Sequence, residues 1–594
     1  MFLRAKARTK DGKEHRYWSV VENRRVVGGR VVQRHVLYLG EINGSQELAW
    51  RRSIDVLEDG SDQPRTLALF PEDACEGIAS DESVVRLKLS ELQLCRPRQW
   101  GACWLALRLW EELHLDRFWA ERLSPSRKGT CWERELFVLV AYRLVAPGSE
   151  WHLHRHWFEH TALADLLGGD FGLAEIHKLY RCHDRLVAYK AALFDHLVGR
   201  WRDLFNASFD VLLYDLTSTY FEAEPPFPDG DKRRHGYSRD HRPDCVQVVI
   251  ALVVTPDGLP LAYEVLAGNT ADNTTLRDFL GRIEQRYGKA RRVWLMDRGI
   301  PTEEVLAEMR VADPPVHYLV GTPKGRLNRL EQDLLGTPWQ QARPGVQVKL
   351  LAEDGELYVF AESADRVAKE RSMRRRQLKW LWARLKELSR MAPNLKRDDL
   401  LIKLGQAKAK APTAWRLVDI EVDATNARFA YALNRQKLRK ARRREGRYLL
   451  RSNLTEGDPA TLWTYYLQLV RVEEAFRTLK GDLAIRPIYH QEPERIEAHI
   501  LIAFLAYCLH VTLGRRLAGM APGLTPRSVL EKFAAVQMID VHIPTTDGRE
   551  LQLTRYTQPE PDLKLLLNRL KLELPEQAPP RITAAQVAKA LHST

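Results

Sequence analysis

The chain has 594 residues, too many for one hydrophobic core, so about two to four domains of ~100–200 residues are expected. An apolar content of 45% and an aromatic content of 9% exclude a wholly disordered protein. The 91 lysines and arginines outnumber the 78 aspartates and glutamates, and the net charge of +13 favours a nucleic acid partner, with a generally basic surface as the alternative.

Cysteine usage and the apolar runs bear on location. The seven cysteines are scattered without a C-x-x-C pair, which argues against a disulfide framework or a cysteine zinc site and for a reducing compartment. The first residues show no apolar stretch of the kind found in signal peptides. The longest apolar run, residues 500–509, is shorter than the ~20 residues that span a bilayer. We therefore expect a cytoplasmic protein without a membrane partner.

The N-terminal part divides into two predicted regions. Residues 1–84 are predicted to be β-rich, since Gly28 and Gly29 separate two strand-like pieces in the pattern of a hairpin. Residues 85–205 carry apolar side chains at helical spacing and are predicted to form a helical DNA-binding region. The histidine-rich segment 151–157 resembles a metal site, but its neighbours in the sequence lack further ligands, so a helical core with a wet face is favoured.

Residues 206–321 are predicted to form the first part of an α/β catalytic core. Its elements follow the order β-β-β-α-β, with nearly continuous apolar runs that are typical of strands covered on both faces. Strands are predicted at 209–214, 246–254, 259–266, 292–296 and 317–321, and helices at 273–287 and 302–311.

An insertion domain of strands plus a basic helix is predicted at 322–455. Leucines 378, 381, 385 and 388 step by 3, 4 and 3, which indicates either a packed helical hairpin or a helix whose basic face contacts DNA. The basic run 435–447 is predicted as a hairpin ahead of a strand at 448–450. Helices near 461–481 and 493–516 complete the core as its second part, 456–520, and 521–594 form a C-terminal region without a predicted function.

Two aspartates are the first candidates for chemistry. Asp215 and Asp297 each end a predicted apolar strand, where a carboxylate is costly without compensation. Alone, each could be a helix N-cap or a turn residue. Together, carboxylates from adjacent strands supply the hard oxygen ligands that Mg²⁺ prefers.

A third carboxylate belongs to a helical stripe. Tyr466, Glu473 and Lys480 are spaced by seven residues, so they share one helix face with a drift of only ~20° per heptad. Glu474 is rotated by ~100° from that face and competes less well for the role. The alternative to a metal ligand is a solvated face with weak ion pairs.

With these residues the chain resembles bacterial insertion-sequence transposases with an RNase H-like catalytic domain, in the branch that carries a Y-R-E-K block. The resemblance covers about 205–515. It implies an RNase H-like mixed sheet with flanking helices, interrupted by a mainly β insertion and preceded by a helical N-terminal region. The matching segments are Tyr214–Thr217, Gly236–Asp240, Gly268-Asn269, Met296–Gly299 and the helix with Tyr466, Glu473 and Lys480.

The resemblance further implies that Asp215, Asp297 and Glu473 hold two Mg²⁺ ions, with Mn²⁺ as an alternative, for DNA cleavage and strand transfer. Water is then the first nucleophile and the freed 3′-OH the next, first to form a hairpin and finally to join target DNA. The implied partners are transposon terminal inverted repeats, target DNA and a second copy of the chain, at the nucleoid. Implied phosphate-binding residues are Tyr466, Lys480 and Arg298. Trp339 and Trp415 are candidates for base stacking, with packing in the core as the alternative for each.

The block departs from its pattern at one position. The arginine expected three residues after Tyr466 would stand at 469, where this chain has Leu469. Arg477, one turn beyond Glu473, is the predicted replacement, so its change to alanine is expected to weaken end binding or cleavage. The rival functions are an RNase H-fold nuclease or resolvase, a domesticated DNA-binding protein without catalysis, and a helical scaffold for protein partners.

Overall fold

The structure is a computed structural model. It describes residues 2–10, 13–25, 31–42, 46–47, 50, 85–127, 129–223, 227–228, 230–287, 292–297, 299–322, 330, 337–423, 427–455 and 458–583. The strands are β1 Phe2–Lys10, β2 Lys13–Arg25, β3 Val31–Gly40, β4 Gln93–Gln99, β5 Val211–Phe221, β6 Val246–Val254, β7 Pro260–Ala267, β8 Val293–Met296, β9 His317–Gly321, β10 Gln340–Arg343, β11 Val346–Glu353, β12 Glu356–Ser363, β13 Val418–Val422, β14 Phe429–Leu433, β15 Arg447–Ser452, β16 Gln537–Pro544, β17 Glu550–Tyr556 and β18 Arg581–Ile582.

Helices flank these strands. The longer ones are Gly101–Glu112, Leu115–Arg122, Trp132–Val145, Ile176–His183, Lys190–Phe205, Leu276–Tyr287, Glu303–Val311, Ala364–Met391, Arg397–Lys410, Arg435–Arg443, Pro459–Lys480, Pro493–Met520, Pro526–Phe533 and Pro561–Leu570. Short helical turns lie at Leu89–Glu91, Glu150–His152, Leu153–Trp157, Phe158–His160, Leu163–Leu166, Val187–Tyr189, Asp272–Thr274, Ala392–Asn394 and Pro412–Trp415.

A nine-stranded mixed sheet organises the molecule, in the order β10-β11-β12-β15-β9-β8-β5-β6-β7. Strands β5, β6 and β7 are antiparallel neighbours, while β8 runs parallel to β5 and β9 parallel to β8. Every residue of β6 is buried, as its continuous apolar run predicts for a strand covered on both faces. Three antiparallel strands followed by two parallel ones are the RNase H-like arrangement, so the predicted α/β class is confirmed.

The strands of the predicted insertion continue this sheet. Strand β15 pairs antiparallel with β9, and β12, β11 and β10 follow outward. These strands therefore do not form a separate β unit. The antiparallel β15–β9 pair joins them to the parallel part of the core, and the catalytic sheet gains a wing of four strands.

The helical part of the insertion has a core of its own. Buried leucines 381, 385 and 388 of helix Ala364–Met391 pack with those of helix Arg397–Lys410 and against β13. The seam of leucines is thus the interior of a packed helical hairpin, the first of the two alternatives. In the neighbouring basic run, Arg374 is itself buried and paired with Glu445.

The basic run 435–447 differs from its prediction. It forms helix Arg435–Arg443, without buried residues, followed by β15, instead of a hairpin. The Asn434 side chain accepts a hydrogen bond from the Lys437 amide at 2.8 Å, and this N-cap starts the helix. The helix therefore offers its cationic side chains to solvent.

The N-terminal strands pack on the C-terminal region, which in turn packs on the helical region. Strands β1, β2 and β3 form an antiparallel sheet, which confirms the predicted hairpin, although Gly28 and Gly29 lie outside the described residues. Strand β4, at the start of the helical region, pairs with β16 of the C-terminal region in a four-stranded sheet. Buried Arg98 and Asp540 are joined at 2.8 Å across this pair. Residues 521–583 are thus part of the packed molecule.

Helix Pro493–Met520 contains the longest apolar run. Its length and a mean hydropathy of 1.8 would suit a membrane span, but 89% of that window is buried within the protein. It packs against helix Trp132–Val145 and helix Pro459–Lys480. It is the central helix of the core.

The histidine-rich segment 151–157 makes separate contacts. His152 Nδ1 lies 2.9 Å from the Tyr142 hydroxyl, and His154 Nδ1 lies 2.7 Å from the Ala174 carbonyl oxygen. Leu153 and Trp157 are buried, while His152 and His156 are exposed. The interpretation as a helical core with a wet face is confirmed.

Candidate active site

Asp215 lies within β5, not at its end. The strand runs from Val211 to Phe221, and Asp215 pairs with Leu252 of β6. Its predicted position at a strand end is therefore wrong, because the threonine- and serine-rich residues that follow continue the pairing with β6. On the other side of β5, the pairing with β8 does end next to Asp215.

The register of β5 and β8 brings the two aspartates side by side. The parallel pairing ends at Tyr214 and Met296, so Asp215 and Asp297 take the next position on each chain. Strand β8 ends at Met296, as predicted, and Asp297 is exposed immediately beyond it. The two carboxylates therefore lie next to each other, at the point where the β5–β8 pairing ends.

The helix Pro459–Lys480 packs against the strands around this point, β5, β6 and β8. Its buried face includes Val472, Phe476 and Leu479, and Glu473 lies beside it, exposed. Glu474 points elsewhere and pairs with Arg471 at 3.0 Å and Arg477 at 3.5 Å. The structure thus separates the two neighbouring glutamates, with Glu473 on the side of the aspartates.

The charges of the other two carboxylates act on Asp215. Burial, together with the smaller effects of the negative charges of Asp297 and Glu473, raises the pKa of Asp215 to about 7 against the opposing effects of the Leu216 amide and Arg239. The Leu216 amide donates to the Asp215 carboxylate at 2.8 Å. Like charges so arranged favour a shared cation. The donor set, three carboxylates, fits hard divalent ions.

Tyr466 shares the helix face of Glu473. Its ring packs against Tyr448 and Trp463, with centroids 5.0 and 5.3 Å apart. Burial raises the pKa of the Tyr466 hydroxyl, and the charges of Asp297 and Glu473 act in the same direction. Tyr466 is therefore a neutral hydroxyl near the carboxylates.

Lys480, at the other end of the stripe, is held by a carboxylate. Its Nζ lies 2.7 Å from Oδ1 of Asp240, a residue whose side chain is only 3% exposed and which also pairs with Arg486. Burial and the positive charge of Arg239 lower the pKa of Lys480 to about 8, while Asp215 opposes this shift. Lys480 is therefore still a cation at neutral pH and lies within electrostatic reach of Asp215.

The segment 236–240 is pinned against the sheet. Gln247 Nε2 donates to the carbonyl oxygens of Tyr237 and Gly268, at 3.1 and 2.8 Å. A Cβ at Gly236 would overlap the Gly268 carbonyl oxygen, so this close backbone approach requires glycine. The Arg239 amide donates to Ser218 Oγ of β5 at 3.3 Å. These contacts fix the direction of the Arg239 and Asp240 side chains.

Two arginines are candidates for the guanidinium that the block lacks at position 469. Leu469 itself packs against the hydrophobic core. Arg477 pairs with Glu474, and its side chain is 77% exposed on that side of the helix. Arg239, within the segment 236–240, pairs with Asp272 and exerts its charge on both Asp215 and Lys480.

The other predicted DNA contacts differ in their surroundings. Arg298 lies outside the described residues. Trp339 is partly exposed just before the edge strand β10, stacked on Phe360, with Lys349 Nζ 4.9 Å from its ring centroid. Trp415 is half-buried against the core of the helical hairpin. The surroundings of Trp339 suit a base next to cations better than those of Trp415.

Two segments of the chain match known protein families. Residues 210–509 match the family described as "Transposase DDE domain". Residues 3–67 match the "IS1634 family transposase, N-terminal domain". No curated protein matches the chain.

Among solved structures, the cryo-EM structure of a piggyBac transposase synaptic complex with hairpin DNA is similar at 10% identity and a TM-score of 0.35, covering 76% of this chain and 82% of that chain. The likeness is too distant to compare individual residues. The family matches, by contrast, include the two strands and the helix that bear Asp215, Asp297 and Glu473. The chain belongs to the DDE transposases of insertion sequences, enzymes that cleave DNA and transfer its strands with divalent metal ions.

Proposed function

We propose that Asp215, Asp297 and Glu473 hold two Mg²⁺ ions, which Mn²⁺ can replace, to cleave transposon ends and join them to target DNA. The observation that supports this proposal is the β5–β8 register, which sets Asp215 beside Asp297, together with the effect of the Asp297 and Glu473 charges on the pKa of Asp215. When bound, such ions supply charge neutralisation for in-line displacement at phosphorus.

The protein's side chains act on the DNA backbone around that centre. Lys480 supplies a point charge to a phosphate oxygen next to the scissile bond, and the neutral Tyr466 hydroxyl donates to another. Asp240 holds Lys480 in place. In the first step a water oxygen bonds to phosphorus and the 3′-oxygen leaves. In the next step that 3′-OH attacks the opposite strand, forming a hairpin and releasing the flanking DNA with its own 3′-OH. A second water opens the hairpin, and the restored 3′-OH of the end joins target DNA.

DNA binding involves other parts of the chain. We propose that the helical region 85–205, the exposed basic helix Arg435–Arg443 and Trp339 contact terminal inverted repeats, with Trp415 a weaker candidate for stacking. Two ends must be brought together, so two copies of the chain form the synaptic complex. The protein acts in the cytoplasm, at the nucleoid.

Strand joining tests this function. Incubated with a pre-cleaved transposon end, a plasmid target and Mg²⁺, the chain is expected to produce joined molecules on a gel, and none with Ca²⁺ or excess chelator. The pre-cleaved end supplies the 3′-OH, so joining needs only the transfer step. Hydrolysis of the DNA without any joined product would instead identify a nuclease, and binding without either reaction a non-catalytic DNA-binding protein.

The pKa of Asp215 predicts a pH dependence of metal binding. A proton held up to about pH 7 competes with the ion, so apparent Mg²⁺ affinity is expected to rise about tenfold per pH unit below 7 and to level off above it. Because the folded chain binds this proton more tightly than the unfolded chain, the metal-free protein loses stability as pH rises from about 4 to 7.

Thermal unfolding with and without Mg²⁺, at about pH 6 and pH 8, measures the effect. The rise in Tm caused by Mg²⁺ is expected to be larger at the higher pH, and the Asp215→Asn variant should lose this difference. An equal Mg²⁺-dependent rise at both pH values would contradict the assigned role of Asp215.

A further inference from the structure

A second group of ligand side chains shares no residue with the three carboxylates. Glu150, His490 and His499 each offer one ligand atom, and these atoms all lie within 4.8 Å of one another. His183 joins them, with Nε2 3.5 Å from Glu150 Oε1. All four side chains are at least nine-tenths buried, from 0% exposed for His183 to 7% for His490.

The protons on two of the rings can be placed. His183 Nδ1 lies 2.9 Å from the Leu179 carbonyl oxygen, and His499 Nε2 lies 3.2 Å from the Ile485 carbonyl oxygen. A carbonyl only accepts, so each of these nitrogens carries the proton in the neutral ring. The opposite nitrogens, His183 Nε2 and His499 Nδ1, then present lone pairs towards Glu150. Both are buried without a hydrogen-bond partner.

Hydrogen bonding within the cluster does not satisfy these groups. His490 Nε2 lies 3.3 Å from Glu150 Oε1 and can donate to it, while His183 Nε2 and His499 Nδ1 lie 3.5 and 3.9 Å away and have no hydrogen-bond partner. Arg143 offers a cation, but its Nη2 is also 3.9 Å from Glu150, and its Nη1 donates to the Ala484 carbonyl at 3.1 Å. Lone pairs and a carboxylate that face one another in a buried site need a cation between them.

We propose that Glu150, His490 and His499, with His183 as the fourth donor, bind a Zn²⁺ ion separate from the catalytic metal centre. Imidazole nitrogens with one carboxylate are typical zinc ligands, unlike the all-carboxylate site, which suits Mg²⁺. The carbonyl partners of His183 and His499 fix ring orientation and tautomer, as second-shell partners do at histidine metal sites. With His183 as the fourth donor, the ligands all come from the protein, as at structural rather than catalytic zinc sites.

The position of the ion suggests what it stabilises. Glu150 and His183 belong to the helical region, whereas His490 lies between helices Pro459–Lys480 and Pro493–Met520 and His499 lies in the second of them. The connection between these helices also carries Arg486, which pairs with Asp240. The zinc ion would thus tie the helical region to the segment that follows the Glu473 helix.

Metal content tests the proposal directly. The full chain, purified without a polyhistidine tag and in excess Mg²⁺, is expected to retain about one zinc per chain by mass spectrometry of the elements. His490→Ala should lower this content at least tenfold, while His490→Cys should restore it because a thiolate is a zinc ligand. His156→Ala serves as the matched control, since His156 is exposed on the adjacent segment, and should keep its zinc.

Two further measurements distinguish loss of zinc from misfolding, and the proposed zinc site from the catalytic metal centre. Co²⁺ added to the zinc-free wild-type chain should produce the visible absorption of a tetrahedral site, and zinc should raise Tm because it binds the folded state. Glu473→Gln should leave the zinc content unchanged. A wild-type chain that holds no zinc and gives no Co²⁺ spectrum would overturn the proposal. So would loss of the zinc in Glu473→Gln, which would place the ion in the catalytic centre.

Discussion

The variant Glu473→Gln is expected to lose cleavage and strand joining by about three orders of magnitude, while the neighbouring variant Glu474→Gln keeps near wild-type activity. Loss of a ligand weakens an ion whose charge stabilisation amounts to several kcal/mol, and ~1.4 kcal/mol corresponds to a tenfold change in rate. The glutamine keeps the size and polarity of the side chain, so folding is little disturbed.

The pair of variants is a matched control within one helix. Glu474 pairs with Arg471 and Arg477 on another side of that helix, and both of its ion pairs are well exposed. Exposed pairs of this kind contribute about 0.2–1 kcal/mol at most. Rates of end cleavage and of joining by a pre-cleaved end, measured at saturating Mg²⁺, separate the two. Equal losses in both variants, or a loss confined to Glu474→Gln, would show that the ligand has been assigned to the wrong glutamate.

The sheet that carries the site was predictable because its strands are apolar on both faces. Strand β6 was predicted at its observed bounds, and β9 likewise, since short, largely apolar runs bounded by turn residues leave little choice. The heptad stripe identified Glu473 for a similar reason, because helix geometry alone separates it from Glu474. Periodicity therefore accounts for most of what could be predicted about the core.

Asp215 shows where such local patterns fail. The strand was predicted to end at Tyr214, yet Thr217, Ser218 and Thr219 are buried and continue the pairing of β5 with β6. A partner strand, invisible in the local sequence, supplies their backbone hydrogen bonds. The same holds for the wing β10-β11-β12-β15, since the β15–β9 pairing joins it to the core sheet.

Contacts between distant residues could not be predicted from spacing at all. Asp240 meets Lys480 and Arg486 across more than two hundred residues, and Glu150 meets His490 and His499 across more than three hundred. No periodic pattern links these positions. The sequence signal for Glu150 was an ionisable residue in an otherwise buried segment. Many helix residues have this property without forming a comparable cluster.

The structure revises the predicted site most at Arg239. We expect the Arg239→Ala variant to lose about a hundredfold in cleavage rate, because removing one preorganised donor to developing charge usually costs about that much. Arg239 acts on both Asp215 and Lys480 from a segment pinned to the sheet, whereas Arg477 extends into solvent beside Glu474. Arg477→Ala, the matched control, is expected to stay within a few-fold of wild type.

The expected reason for the loss is specific to a guanidinium. Arg239→Lys keeps the charge but not the planar fork that binds a phosphate through two oxygens, so it should recover only part of the rate. Because Arg239 also opposes the rise in the pKa of Asp215, its loss should move the pH profile of cleavage to higher pH, which a purely structural residue would not do. An unchanged pH profile in Arg239→Ala, together with a large loss in Arg477→Ala, would return the missing guanidinium to the helix of Glu473.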